Sequence, residues 1–248
     1  MTRKVSIPES ARLAPLQYGF FDDFQGFLTA TSTALYTVVS AVDGTVLLTD
    51  ATAGGVAIKS AVGSASGNED TYLVREPEAF IFSTKPFVFE ALVQITEDDT
   101  NQNNVFVGLT NAAAADLLVN DGAGVRVTGN TVGFYKVDGG LNWHVYARDE
   151  DDALVVTTEL TAANSLDGAV HVASGAAKQQ LNFEWIPRAG TLGDIVWSID
   201  GVAVFKTTDF DFGANVTSMQ AAAGVKDGDS DDLVTLNLFY WFCYQVRA

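Results

Sequence analysis

The 248 residues are 48% hydrophobic and 18% charged, enough apolar material for the core of one large all-β domain or two small ones. A net charge of −17 argues against a phosphate-backbone partner and against an anionic membrane surface, so neither nucleic acid nor membrane is an expected partner. No apolar run reaches the ~18 residues of a bilayer span, the N-terminus lacks the apolar stretch of a signal peptide, and the lone Cys243 forms no intrachain disulfide, which fits a cytosolic site of assembly.

Residues 1–17 carry Arg3, Lys4 and Arg12 against Glu9, a net of +3 − 1 = +2, which leaves −19 on the rest of the chain. Pro8 and Pro15 interrupt any helical or strand period there. This stretch reads as an extended N-terminal arm, and residues 18–248 as one β domain. Strand patterns then follow at Phe20–Phe24, Tyr36–Val39, Val46–Leu48, Val56–Lys59 and Tyr72–Val74. In Phe87–Ile95 the odd positions, Phe87, Phe89, Ala91, Val93 and Ile95, form one heavy apolar face. That period of two is the mark of a half-buried antiparallel strand. Val105–Leu109 comes next, then the one helix-like stretch, Asn111–Val119, where alanines follow a capping asparagine.

Gly133–Val137, Trp143–Arg148 and Leu154–Glu159 continue the strand pattern. Leu181, Phe183 and Trp185 alternate with Asn182 and Glu184; Ile195, Trp197 and Ile199 alternate with Val196 and Ser198. Val202–Lys206 and Met219–Val225 precede the last strand, Val234–Val246. Its even positions, from Val234 through Tyr240, Phe242 and Tyr244 to Val246, read as the heavy face. Asp-Gly and Gly-Gly pairs at 43–44, 54–55, 121–122, 138–140, 167–168, 200–201 and 227–228 tolerate the positive φ of tight hairpin turns. About a dozen or more short strands at hairpin spacing predict an all-β, two-sheet antiparallel jelly-roll sandwich with little helix.

The residues that carry chemistry are sparse. His144 and His171 have no thiolate partner and belong to no nucleophile signature, so structural or surface roles are expected for both. Cys243, in the most apolar strand, reads as an inert packed thiol. Glycoside hydrolysis needs two carboxylates across the scissile bond. The nearest cluster, Glu97-Asp98-Asp99-Thr100-Asn101-Gln102, ends in an amide and reads as a solvated loop. Asp227, Asp229 and Asp231 space three carboxylates at alternate positions, a weak calcium candidate that lacks the glycine and glutamate of a calcium loop. Asp149–Asp152 and Asp209–Asp211 read as solvated hairpin tips. The four tryptophans lie in strands and default to the core. Tyr135, Tyr146 and Phe239 fall on the less apolar faces of their strands; they either line a concave groove facing a glycan or lie beneath a loop or partner.

The stretch Leu181–Thr207 pairs two aromatic-bearing strands across a Pro/Gly turn and runs into Asp200-Gly201. It resembles the back-sheet hairpin of concanavalin A-like lectin/glucanase jelly rolls. Further blocks recur in order: Tyr18–Phe24, Lys85–Ala91, Val105–Thr110, Gly133–Gly140, Ala223–Gly228 and the final aromatic strand. Together they resemble a group of tailed-bacteriophage head proteins of that fold. The resemblance implies a non-enzymatic decoration or cement protein on the outside of the head, with the major capsid protein as partner and no cofactor. It places the protein on the virion surface, assembled in the host cytoplasm. A cyclic homo-oligomer, a trimer by preference, suits a local symmetry axis. The cationic arm, through Arg3, Lys4 and Arg12, is then the element that clips onto the capsid or a neighbouring subunit. The alternative is a carbohydrate-binding module for glycan or host attachment, and a glucanase-like enzyme is the third reading.

Overall fold

A computed structural model describes residues 17–24, 35–40, 44–48, 54–60, 70–76, 79–97, 103–111, 117–119, 124–125, 129–149, 155–173, 175, 177–213, 217–228 and 233–246. Among the described residues there are fifteen strands: β1 (Gln17–Asp22), β2 (Tyr36–Ser40), β3 (Thr45–Leu48), β4 (Val56–Lys59), β5 (Asp70–Arg75), β6 (Phe87–Glu97), β7 (Asn103–Thr110), β8 (Thr131–Lys136), β9 (His144–Arg148), β10 (Val155–Glu159), β11 (Gln179–Pro187), β12 (Leu192–Ile199), β13 (Val202–Asp211), β14 (Gln220–Asp227) and β15 (Val234–Val246). One sheet of eight strands runs β13-β12-β11-β6-β15-β4-β3, with β1 also on β15; the other, of seven, runs β10-β9-β8-β7-β14-β5-β2. Every pairing is antiparallel. The expected two-sheet sandwich is therefore the fold. No helix occurs among the described residues. Most of the expected helix at 111–119 lies outside them, and Leu118 instead forms a β-bridge with Val125.

The core forms where the apolar parities of the two sheets meet. Trp143, Trp185, Trp197 and Trp241 are all fully buried. An indole N–H in a dry interior has to find an acceptor, and two of these reach across the sandwich. Trp197 Nε1 of β12 donates to Gly133 O of β8 at 3.2 Å, and Trp143 Nε1 donates to Gln179 Oε1 of β11 at 2.9 Å. These bonds fix how one sheet sits on the other, which apolar contact alone does not. Between β12 and β13, Asp200 and Gly201 both take positive φ, 52° and 81°, and connect Ile199 to its register partner Val202. That is the backbone of a tight primed turn, as the Asp-Gly pair predicts.

β15 departs from simple alternation. Val234, Leu236 and Leu238 point into the core, but so do Trp241 and Cys243. The switch occurs at a register shift against β6 between Leu238 and Tyr240. One extra residue in a strand moves every later side chain to the opposite face. Tyr240, Phe242 and Tyr244 therefore lie on the outer face, partly exposed, where the sequence pattern had placed them with the core residues. Cys243 is buried as expected, and burial raises its thiol pKa well above the ordinary range.

Three acidic motifs differ from the sequence reading. Glu97 is no loop residue: it ends β6 facing inward and pairs with Lys136 of β8, Oε1 to Nζ 2.8 Å, with both side chains almost wholly buried. Lys136 also donates to Asn103 O at 2.8 Å. β6 runs two residues past the expected end at Ile95, which aligns this carboxylate with a cation from the other sheet. Asp209–Asp211 lies within β13, with Phe210 in the core, and Asp149 is buried at the end of β9; Glu150–Asp152 lie outside the described residues.

Lys136→Met leaves Glu97 charged and unpaired in the interior. We expect it to destabilise the fold by about 3–5 kcal/mol in urea denaturation. The double variant Lys136→Met/Glu97→Leu should recover most of that loss, because the penalty comes from the orphaned carboxylate.

Candidate functional site: the two outer faces of the sandwich

The outer face of the seven-stranded sheet can be read in rows from the strand registers. One row runs Tyr72, Gly224, Phe106, Tyr135, His144 and Glu159 across β5, β14, β7, β8, β9 and β10. The next runs Val74, Ala222, Gly108, Gly133, Tyr146 and Thr157. Glycines let the aromatic rings lie flat on the sheet. A Cβ at Gly224 would stand 1.9 Å from Tyr72 Cδ1, and one at Gly108 would stand 3.0 Å from Phe106 Cζ. Only glycine permits such contact.

The rings pack under the chain's own cover. Tyr72, Phe106, Tyr135 and Tyr146 form a second apolar cluster with Leu117, Leu118 and Val125. Leu118 N donates to Tyr72 Oη at 2.9 Å, and Val119 N donates to Gly124 O at 2.8 Å. The base of this covering segment is closed by Asn111 N to Asn130 O at 3.1 Å. It is tied to Thr217, whose Oγ1 accepts from the amides of Asn111 and Asn130. Tyr135 and Tyr146 are each 4% exposed. Of the two alternatives left open by the sequence, burial beneath a loop is the one the structure shows. Neither tyrosine presents a face to a ligand.

Polar groups of this face gather at the β8–β10 end. His144 stacks on Tyr135 with ring centroids 4.7 Å apart. Tyr135 hydrogen-bonds Thr157, and Tyr146 bonds Arg148. Glu159 Oε1 accepts from Asn142 Nδ2 at 2.7 Å. Burial raises both tyrosine pKa values, with Arg148 pulling Tyr146 the other way. Burial lowers His144, opposed by the nearby Glu159 carboxylate and the Asn142 carbonyl and assisted by Lys136. His171, in the 160–173 connection, sits 3.1 Å from Asp167 Oδ1, which also accepts from Ala169 N. The two histidines share no site.

Among the described strand residues, alternation places two carboxylates on this face, Asp70 on β5 and Glu159 on β10. They stand on strands five spacings apart, about 24 Å at the usual ~4.8 Å between neighbours. Hydrolysis of a glycosidic bond needs roughly 5–9.5 Å. Asp227, of the weak calcium candidate, ends β14 and is buried, facing inward beside Asn103; Asp229 and Asp231 lie outside the described residues. No cluster of three or more metal-ligating side chains occurs among the described residues. Arg3, Lys4 and Arg12 also lie outside them.

The outer face of the eight-stranded sheet is organised differently. Its register rows are Tyr240, Leu92 and Gln180; Phe21, Phe242, Glu90 and Asn182; and Gly19, Tyr244, Val88 and Glu184. Phe21 is 47% exposed, and Tyr240, Phe242, Tyr244, Leu92 and Val88 are partly exposed. Phe21 and Tyr240 rings lie 5.6 Å apart, and Tyr240 Oη donates to Glu90 Oε1 at 2.7 Å. Phe239, the third aromatic singled out from the sequence, sits at the bulge above this strip. It is 8% exposed, with Lys178 Nζ 3.5 Å from its ring centroid, so the lysine occupies the ring face a ligand would use. Sequence reasoning missed Tyr240, Phe242 and Tyr244 because it ran one parity through the strand. The signal was present in Phe239-Tyr240-Trp241-Phe242, where aromatics occupy both parities and one must leave the core.

The two sheets form an antiparallel jelly-roll sandwich of the concanavalin A-like type. No protein-family model matches the sequence, and no curated relative matches it. Among solved structures, the chain is similar to the metal-free carbohydrate recognition domain of Emp46p, with 12% identity, a TM-score of 0.56, and coverage of 89% of this chain and 93% of that one. Peanut lectin is similar at 11% identity and a TM-score of 0.54, over 94% of this chain and 98% of that one. An endo-β-1,4-glucuronan lyase from the fungus Trichoderma reesei is similar at 12% identity and a TM-score of 0.57, over 92% and 95%. At these identities the likeness establishes the fold.

Because burial disfavours the charged form of His144 in the folded state, the unfolded chain binds more protons just below the ordinary pKa of about 6.5, and stability falls as pH drops through that window. His144→Gln should flatten this acid limb in denaturation curves taken from pH 7 to pH 5. An unchanged slope would show that His144 does not set it.

Proposed function

We propose that the chain is a carbohydrate-binding domain that does not cleave its ligand. The observation that carries the reading is the state of the seven-stranded sheet's outer face. Its two placed carboxylates are on opposite flanks of the sheet, and the space between them is filled by Leu117, Leu118 and Val125. A hydrolase needs paired acids facing one open cleft, and this face offers neither. The similar structures include recognition proteins, the Emp46p carbohydrate recognition domain and peanut lectin, beside a lyase; a lyase needs no paired acids, and what favours recognition over it here is that Tyr135 and Tyr146 of this face are buried away from any ligand. The acidic surface, −17 overall, suits a soluble binder of uncharged chains.

A head-decoration role is the second reading, with the major capsid protein as partner, a trimeric assembly and a virion location. The ordered sequence blocks that resemble tailed-bacteriophage head proteins favour it; the similar lectins favour the glycan reading.

Isothermal titration against a panel of soluble neutral and anionic polysaccharides, with new chain ends assayed in parallel, tests the proposal. Saturable binding with no new ends is expected. Chain shortening would replace the binder with a hydrolase or lyase. Failure to bind any glycan, together with near-stoichiometric co-purification with intact heads, would put the decoration role first.

A further inference from the structure

We propose that the glycan seat is the outer face of the eight-stranded sheet, along Phe21, Tyr240, Phe242 and Tyr244, and that its ligand is a neutral polysaccharide chain. This rests on the glycan-binding reading and specifies where and what the domain binds.

The first support is exposure. In this protein the outer face of the seven-stranded sheet is sealed, with Tyr72, Phe106, Tyr135 and Tyr146 all buried under the chain's own cover. The aromatics left at the surface are on the opposite sheet, put there by the bulge between Leu238 and Tyr240. Tyr240, Phe242 and Tyr244 alternate along one straight strand, so the strip extends roughly 13 Å. Phe21 widens it onto β1, paired with Phe242, and Leu92 and Val88 continue it onto β6. A monomer rarely shows so contiguous an apolar patch without something that covers it.

The second support is chemistry. Flat aromatic rings meet the C–H faces of sugar rings, and the rim supplies hydrogen-bonding groups in the same registers: Gln180, Asn182, Glu90 and Glu184. Tyr240 is pinned by its bond to Glu90, which holds its ring in place before a ligand arrives. Gly19, opposite Tyr244, leaves that ring lying against the backbone of β1: a Cβ there would come within 3.2 Å of Tyr244 Cδ2.

The third support is charge, which selects the occupant. The charged residues nearest the strip in its own registers, Glu90 and Glu184, are both carboxylates, and Lys178 at the bulge end is held over the Phe239 ring. The cations further along this sheet, Arg188 and Lys206, are engaged by Asp194 at 2.8 and 2.7 Å. A uronate or sulfated glycan would meet the Glu90 and Glu184 carboxylates along the strip. So would a second copy of this chain, which carries the same −17. An uncharged chain meets neither penalty.

The test uses the full chain. Chemical-shift mapping of the wild-type protein with neutral oligosaccharides from the panel is expected to move amides of β1, β6 and β15 and to leave β8–β10 still. Phe242→Ala and Tyr244→Ala should each weaken binding about tenfold or more, with thermal melts reporting whether each variant is folded. The wild-type map decides the matter if either variant is not. Shifts confined to β8–β10, or an unaltered affinity in folded Phe242→Ala, would overturn this seat while leaving the glycan reading in place. Binding of anionic chains alone would overturn the neutral ligand. No binding of any glycan would overturn the underlying reading, and the seat with it.

Discussion

One bulge determines what each face of the eight-stranded sheet shows. β15 is the long central strand of its sheet, hydrogen-bonded to β6 on one side and to β4 and β1 on the other. Before the bulge its even residues are core; after it the odd residues are. The inward switch delivers Trp241 into a nest of Phe20, Phe24 and Tyr36, ring centroids 5.6–6.0 Å away. Tyr36 comes from the opposite sheet and hydrogen-bonds Asp22 of β1, so this nest is where the two sheets meet at that end. Without the extra residue, Trp241 and Cys243 would face solvent while Tyr240, Phe242 and Tyr244 crowded inward. Burying one indole is worth on the order of 2–3 kcal/mol, so the bulged register is strongly held.

The two outer faces follow from different solutions to the same difficulty. A sheet with aromatics on both sides must cover one of them or leave it for a partner. The seven-stranded sheet covers its outer aromatics with Leu117, Leu118 and Val125, and uses Gly108, Gly133 and Gly224 to lay the rings flat. The eight-stranded sheet leaves Phe21, Tyr240, Phe242 and Tyr244 at the surface. Exposed aromatics beside amides and carboxylates suit recognition, and separated, paired-off acids do not suit bond cleavage.

Much of the fold was legible because period-2 alternation and Asp-Gly turns are local properties. Val56–Lys59 and Val234–Val246 were readable to the residue, and the hairpin through Asp200-Gly201 has the register its turn demands. The faces were harder to read. A bulge is a property of two strands, and Val234–Val246 alone gives no partner against which to count. Glu97 looked like the start of a solvated acidic run, because the cation that draws it inward, Lys136, lies 39 positions along and in the other sheet. Asp209–Asp211 looked like a turn until β12 was laid beside it, where Asp211 pairs with Leu192. Tyr135 and Tyr146 were placed on the correct side of their strands, but only the tertiary path of the segment bearing Leu117, Leu118 and Val125 shows that they are covered.

Tyrosine nitration of the free protein, mapped by mass spectrometry, tests the face assignment most directly. Tyr240 and Tyr244 should be modified readily, while Tyr72, Tyr135 and Tyr146 stay protected until the protein is denatured. Modification of Tyr135 and Tyr146 in the native state, with Tyr240 and Tyr244 spared, would contradict it.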